Sequence, residues 1–271
     1  MSQPQQPQKE RDHVLETMQQ AKLENPSGSF GVFELPCGIL EGDGPEAILH
    51  KEVELREITG HEEDMLGSNT VPNHKKIGML ISGCLVRVGT INDKGKLALL
   101  AEEMTVGDRV FLMFAIRRTS LGDDYPFRGK CPECNYRGIF NLDLSDLEVK
   151  KMAEPMKRTF DHTLPSGKKC SFRPLCGKDE ESISKAASSN EALSLSILMR
   201  LQMLEGQPPT LAAVKGLGMR DRNYLRAEFD KIEGGVDTTL EMTCPRCNHE
   251  FEEELDVAQA GFFFPSSVQK G

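Results

Sequence analysis

Cys131-Pro132-Glu133-Cys134-Asn135 and Cys244-Pro245-Arg246-Cys247-Asn248 are two copies of one phrase, and their reading decides the fold. Each is a metal knuckle: the two-residue spacing lets both thiolates face one ion, and proline pre-sets the tight turn between them. One knuckle supplies two ligands, whereas a tetrahedral zinc takes four. The pair therefore predicts one structural zinc held by Cys131, Cys134, Cys244 and Cys247, across a gap of 109 residues. Two alternatives stay open at this point: two metals, each completed by Cys170, Cys176 or His249, and a redox disulfide within a knuckle. A catalytic zinc does not suit four thiolates, which leave no position for water.

So long a gap needs an explanation, and an internal repeat supplies one. Residues 108–144 align with 221–257 without a gap over 37 positions, with 11 identities that include Asp108/Asp221, Arg109/Arg222, Leu112/Leu225 and both knuckles. A weaker echo lies upstream. Leu35-Pro36-Cys37-Gly38 and Leu55-Arg56-Glu57-Ile58-Thr59-Gly60 resemble Leu164-Pro165-Ser166-Gly167 and Phe172-Arg173-Pro174-Leu175-Cys176-Gly177. The expected fold class is α+β: two homologous halves, 31–155 and 156–265, related by a pseudo-twofold axis. Each half reads as a β-hairpin, three helices and a knuckle hairpin, and a four-cysteine, zinc-ribbon-like site joins them. An N-terminal arm, 1–30, and a C-terminal tail, 266–271, lie outside.

Local patterns place the pieces. Residues 31–40 and 47–57 alternate as strands about Gly42-Asp43-Gly44-Pro45. Thr59, followed by Glu62 and Glu63, reads as a helix start. Ile77, Leu80, Ile81, Cys84, Leu85 and Val88 recur at helical spacing, with Gly89 as the stop, and a third helix is expected to begin with Asp108 as N-cap. In the second half, Ile197, Leu198, Leu201 and Leu204 form the middle helix, and Asp221, Tyr224, Leu225 and Phe229 the third.

Composition bounds the function. The chain has 271 residues, 38% hydrophobic, with 24 glycines, an ordinary globular balance. Its 33 basic and 42 acidic residues give a net charge of −9, which argues against a partner bound through phosphates. Its apolar runs fall short of the roughly 18–20 residues that cross a membrane, and the polar N-terminus has no signal-peptide core. A cytosolic product is expected, so Cys37, Cys84, Cys170 and Cys176 read as buried thiols. Cys37 has no accompanying base, and its counterpart is Ser166, which argues against a nucleophile. Arg56 and Arg173 read as salt-bridge formers at a strand-to-helix corner, and Glu252, Glu253 and Glu254 as a solvated strand face. Phe262, Phe263 and Phe264 are either a plug in the chain's own core or an anchor in a partner.

The ordered set Phe33-Glu34-Leu35-Pro36-Cys37-Gly38, Val53-Glu54-Leu55-Arg56-Glu57-Ile58-Thr59-Gly60 with Glu62-Glu63, Gly107-Asp108-Arg109, Thr163-Leu164-Pro165-Ser166-Gly167 and the paired knuckles resembles the T-even-type phage baseplate proteins, over about residues 31–258. The resemblance implies a non-enzymatic component of a contractile tail baseplate, at or near the central hub, or a factor that helps the hub assemble. It implies a virion protein assembled in the host cytoplasm and present in several copies. Its expected partners are other baseplate, hub and tail-tube proteins, gripped through the arm and Phe262, Phe263 and Phe264, with no direct nucleic acid and no membrane. The rival reading is a zinc-ribbon adaptor of a transcription or replication complex.

Overall fold

A computed structural model describes residues 30–42, 44–186, 191–255, 257, 262 and 263; the N-terminal arm, Asp43, Phe264 and the tail lie outside the described residues. The fold is α+β. The first part of the chain builds a three-stranded antiparallel sheet in the order β1-β2-β3, from β1 (Phe30–Glu41), β2 (Ile48–Arg56) and β3 (Leu85–Val88). Between β2 and β3 run helices α1 (Gly60–Gly67) and α2 (Asn73–Cys84); α3 (Lys94–Glu103) and α4 (Val106–Leu121) follow, and then the ribbon β4 (Asp124–Lys130) and β5 (Arg137–Asp143). After a short β6 (Val149–Lys150), a second three-stranded sheet orders as β7-β8-β9, from β7 (Phe160–Thr163), β8 (Lys169–Phe172) and β9 (Leu201–Leu204). Helices α5 (Gly177–Ala186), α6 (Ala192–Arg200), α7 (Leu211–Lys215) and α8 (Met219–Ile232) accompany it. A short β10 (Gly235–Val236) pairs with β6, and a second ribbon, β11 (Thr239–Thr243) and β12 (Glu250–Glu254), ends the described body.

Two expectations need correction. Leu85 and Val88 do not continue α2: they form β3, where Leu85 pairs with Leu55 and Val88 with Val53. Leu201 and Leu204 likewise leave the helix for β9, with Leu204 opposite Cys170. A short apolar run fits helix or strand, and a waiting sheet edge settles it. Each part carries one helix more than the sequence predicts, α3 and α7, and Thr105 rather than Asp108 caps α4 by accepting from the Asp108 amide at 3.1 Å.

Asp108 is thereby free for a longer reach. Its carboxylate accepts from the Cys37 amide at 2.8 Å, holding the irregular stretch of β1 between Glu34 and Ile39. Asp221, at the same place in α8, accepts from the Ser166 amide at 3.0 Å. Arg109 donates to the Ala101 carbonyl and, at 2.8 Å, to Glu180, while Arg222 donates to the Val214 carbonyl at 3.1 Å. These buried polar groups tie helices to loops that hydrophobic contacts alone would leave loose.

The strand-to-helix corners match as well. Arg56 grips Glu62 through both terminal nitrogens at 3.0 and 2.8 Å, and the Thr59 amide donates to the same carboxylate at 3.0 Å. Arg173 grips Asp179 at 2.7 and 2.9 Å, with the Cys176 amide at 3.0 Å. Arg56 holds the Glu62 carboxyl down at about 2. Burial opposes ionisation of Asp179, but donation from Arg173 and Cys176 outweighs it and leaves this carboxyl low too. Because the folded pKa of Glu62 lies below its ordinary 4.5, the pair stabilises the fold fully above that pH and loses the contribution as pH falls towards about 2. Denaturant melts should show Glu62→Gln costing about 1–3 kcal/mol at pH 7 and much less near pH 3.

The core has two clusters, and neither keeps to one stretch of chain. Leu240, Met242, Leu255 and Val257 join the cluster of β1–β3 and α1–α4, whereas Cys37 of β1 joins Phe160, Phe172 and Leu225. Phe262 and Phe263 are 1% and 3% exposed. Phe262 packs edge-on against Phe114 at 5.3 Å and against Tyr125 at 5.4 Å. Both rings therefore plug the chain's own core, which corrects their expected use as a grip on a partner: closing over α4 removes them from water and from any neighbour's reach.

Beneath Phe262 lies Arg117, 1% exposed, its guanidinium 4.8 Å from the Tyr125 ring centre. One terminal nitrogen donates to the Asp124 carbonyl at 3.1 Å; its Nε and Nη1 have no hydrogen-bond partner among the described residues. Burial lowers its pKa. Two unmet donors at about 1–3 kcal/mol each outweigh a cation–π gain of at most about 2 kcal/mol. Arg117→Met should therefore hold or raise stability by about 1 kcal/mol in a thermal melt; a clear loss would show that the rings do more for the cation than this balance allows.

Candidate metal centre

The two knuckles are the turns of the two ribbons. In the first, the Cys131 amide donates to the Tyr136 carbonyl at 2.9 Å and the Asn135 amide to the Cys131 carbonyl at 3.1 Å. In the second, Cys244 donates to His249 and Asn248 to Cys244, each at 2.9 Å. Both turns close on an asparagine in the left-handed region, Asn135 at φ 56° and Asn248 at φ 55°. Asparagine tolerates that conformation better than other side chains do, which gives this residue a purpose that its repetition in the sequence hinted at.

Packing brings the turns together. The inner faces of the ribbons meet where Phe140 touches Phe251 edge-on, ring centres 5.8 Å apart, with Phe127 stacked behind at 5.7 Å. The consequence is a single cluster: the sulfurs of Cys131, Cys134, Cys244 and Cys247 all lie within 4.8 Å of one another. Cys131 and Cys247 are 3.7 Å apart, Cys134 and Cys244 3.6 Å. A tetrahedron of sulfurs each about 2.3 Å from a central zinc has edges of about 3.8 Å, so the set fits that ion. Each ribbon contributes two sulfurs, and two close approaches run between ribbons.

Within the cluster the electrostatics differ from sulfur to sulfur: donation from the His249 amide opposes any rise at Cys247, but burial and the neighbouring sulfurs push it up to about 12. Around Cys244 burial opposes the thiolate, but the Arg246 amide, 3.4 Å from its sulfur, and other donors bring the thiol down to about 6. Burial pushes Cys37 and Cys170 up to about 11 and Cys84 to about 12. Burial thus disfavours the thiolate form that metals and electrophiles require. Cys170 and Cys176 stand apart from the cluster, and the Cys176 sulfur donates to Asp179 at 3.1 Å. The His249 ring stacks on Phe251 at 6.4 Å.

The remaining sequence candidates fall into structural places. Arg56 and Arg173 hold the corners described above, Glu62 is part of one of them, and Glu252, Glu253 and Glu254 are exposed on β12. No described helix is long and apolar enough to cross a membrane.

Fold and cluster together describe an α+β protein whose two ribbons converge on four cysteines. Residues 47–161 match the family model of the T4 bacteriophage base plate protein. The match runs from β2 through α1–α4 and the first ribbon, with its cysteine pair, to the start of β7. It bears out the resemblance carried by the sequence motifs and supports a T4-type phage baseplate protein. The match covers 115 of the 271 residues, and it suggests a structural role in a phage tail baseplate. No curated protein and no solved structure matches the chain.

Proposed function

We propose that this chain is a structural or assembly component of a contractile tail baseplate, at or near the central hub, and that it acts without catalysis. The family match over residues 47–161 carries the reading. In this role Cys131, Cys134, Cys244 and Cys247 hold one structural zinc, whose chemistry is four sulfur bonds that staple the first ribbon to the second. Four thiolates fill a tetrahedron, so the site stabilises a shape and leaves nothing open to a substrate.

The body is read as an internal duplication, 31–155 and 156–265. The paired details support it: Asp108 on Cys37 beside Asp221 on Ser166, Arg56 with Glu62 beside Arg173 with Asp179, and the two left-handed asparagines. The metal then fixes the angle between two similar halves, and that angle is what a neighbouring subunit meets. The arm, 1–30, is assigned to grip such neighbours.

Mass spectrometry of purified tailed particles tests the role. The chain should be found in the baseplate fraction or, if it acts only in assembly, bound to baseplate intermediates from infected cells. Its absence from both would defeat the proposal.

A further inference from the structure

We propose that the two ribbons form a dipolar head, basic on one outer face and acidic on the other, through which successive copies of this chain associate head to tail. At the knuckle end of the outer face of β4 and β5, Arg128, Lys130 and Arg137 are exposed, with Lys130 directly across from Arg137, while at the far end of the same face Asp124 lies across from Asp143. Beside them Ile139, opposite Arg128, is 54% exposed. These residues line an open cavity of about 680 Å³ in which Glu253 is the one acid. On the outer face of β11 and β12, Glu241, Glu250, Glu252 and Glu254 are exposed, with Glu241 directly across from Glu252.

Like charges facing each other across a ribbon destabilise it. None of Arg128, Lys130, Arg137, Glu241, Glu250, Glu252 and Glu254 finds an ion-pair partner among the described residues. Both ribbons thus carry a local cost that no ion pair among the described residues offsets. Because Phe140 and Phe251 pack the inner faces together, the charged faces lie on the far sides of their ribbons, and of the described β12 acids only Glu253 lines the basic cavity. One molecule cannot bring them into contact, but two copies can, and each such contact leaves a free face at either end for the next. The interface is heterologous, closing into a ring or extending as a filament according to its rotation, with Ile139 as an apolar centre. The inference rests on the packing of the ribbons and stands whether or not the chain works in a baseplate.

Sedimentation velocity of the full-length protein at about 50 mM and about 500 mM salt provides the test. The expected result is concentration-dependent association at low salt that dissolves at high salt. Glu241→Lys with Glu252→Lys reverses the acidic face, and Lys130→Glu with Arg137→Glu reverses the basic one; either pair should weaken self-association about tenfold or more. Mixing the two variants should restore it, because the untouched basic face of the first meets the untouched acidic face of the second. An unchanged thermal melt shows that a variant is folded, and the neutral pair Glu241→Gln and Glu252→Gln replaces one that is not. A wild-type chain that remains monomeric at low salt, reversals without effect, or a mixture that fails to recover would each overturn the proposal.

Discussion

Cys131→Ser should release the metal and cost the chain its fold, and Cys244→Ser, 113 residues away in sequence, should do the same. Each sulfur lies within 4.8 Å of the other three, so a single loss breaks a set that both ribbons share. A structural zinc contributes about 10–16 kcal/mol in small peptides, as much as the net stability of a whole domain. Unfolded or insoluble protein with bound zinc lost by elemental analysis is the expected result, and a variant that stays soluble should melt at least about 10 °C lower. The double variant should be no worse than either single one, because the second change removes a ligand from a site already gone. Cys84→Ala is the control: it opens a small cavity in the core but leaves the metal content unchanged. Two single variants that each kept half of the metal would instead mean two separate sites.

Gly107→Ala should be nearly as damaging for a different reason. A methyl group built on Gly107 would lie 1.8 Å from the Gly234 carbonyl oxygen, which belongs to backbone and has no rotamer to escape into. Here α4 runs against the short strand β10, and Gly235 lies beside it with φ 153°, a conformation that few side chains allow. Overpacking of this kind costs typically about 1–3 kcal/mol and more where backbone must move. A loss of about 3 kcal/mol or more in denaturant unfolding is expected. Gly60→Ala, at the open start of α1 with nothing within 4 Å, should be neutral or slightly stabilising. Equal effects at the two glycines would show that α4 can shift away from β10 at little cost.

The cysteine cluster was legible because its signal is short-range chemistry: a two-residue spacing and a proline turn, repeated, which together supply the four ligands of a tetrahedron. The ribbons on either side were legible for the same reason, since alternation around a knuckle leaves little choice. The corners at Arg56 and Arg173 could be read because arginine, threonine and acids cluster within a few residues there. What escaped the sequence depends on distant partners. Leu85 and Val88 continue the helical spacing of α2, and only the edge of β2 makes them a strand. Gly107 looks like any glycine near a helix start until Gly234 is placed against it. Phe262 and Phe263 fitted a plug or an anchor equally well, and the choice lay in whether Phe114 and Tyr125 left room for them. Asp108 resembled a cap because caps are local, whereas its actual partner, Cys37, is 71 residues away.

In the proposed centre, four cysteines from two distant stretches hold one ion. Metal content measured against chain concentration in the purified full-length protein tests this most directly. One zinc per chain is the predicted result; two zincs per chain, or none in protein that is folded and reduced, would contradict it.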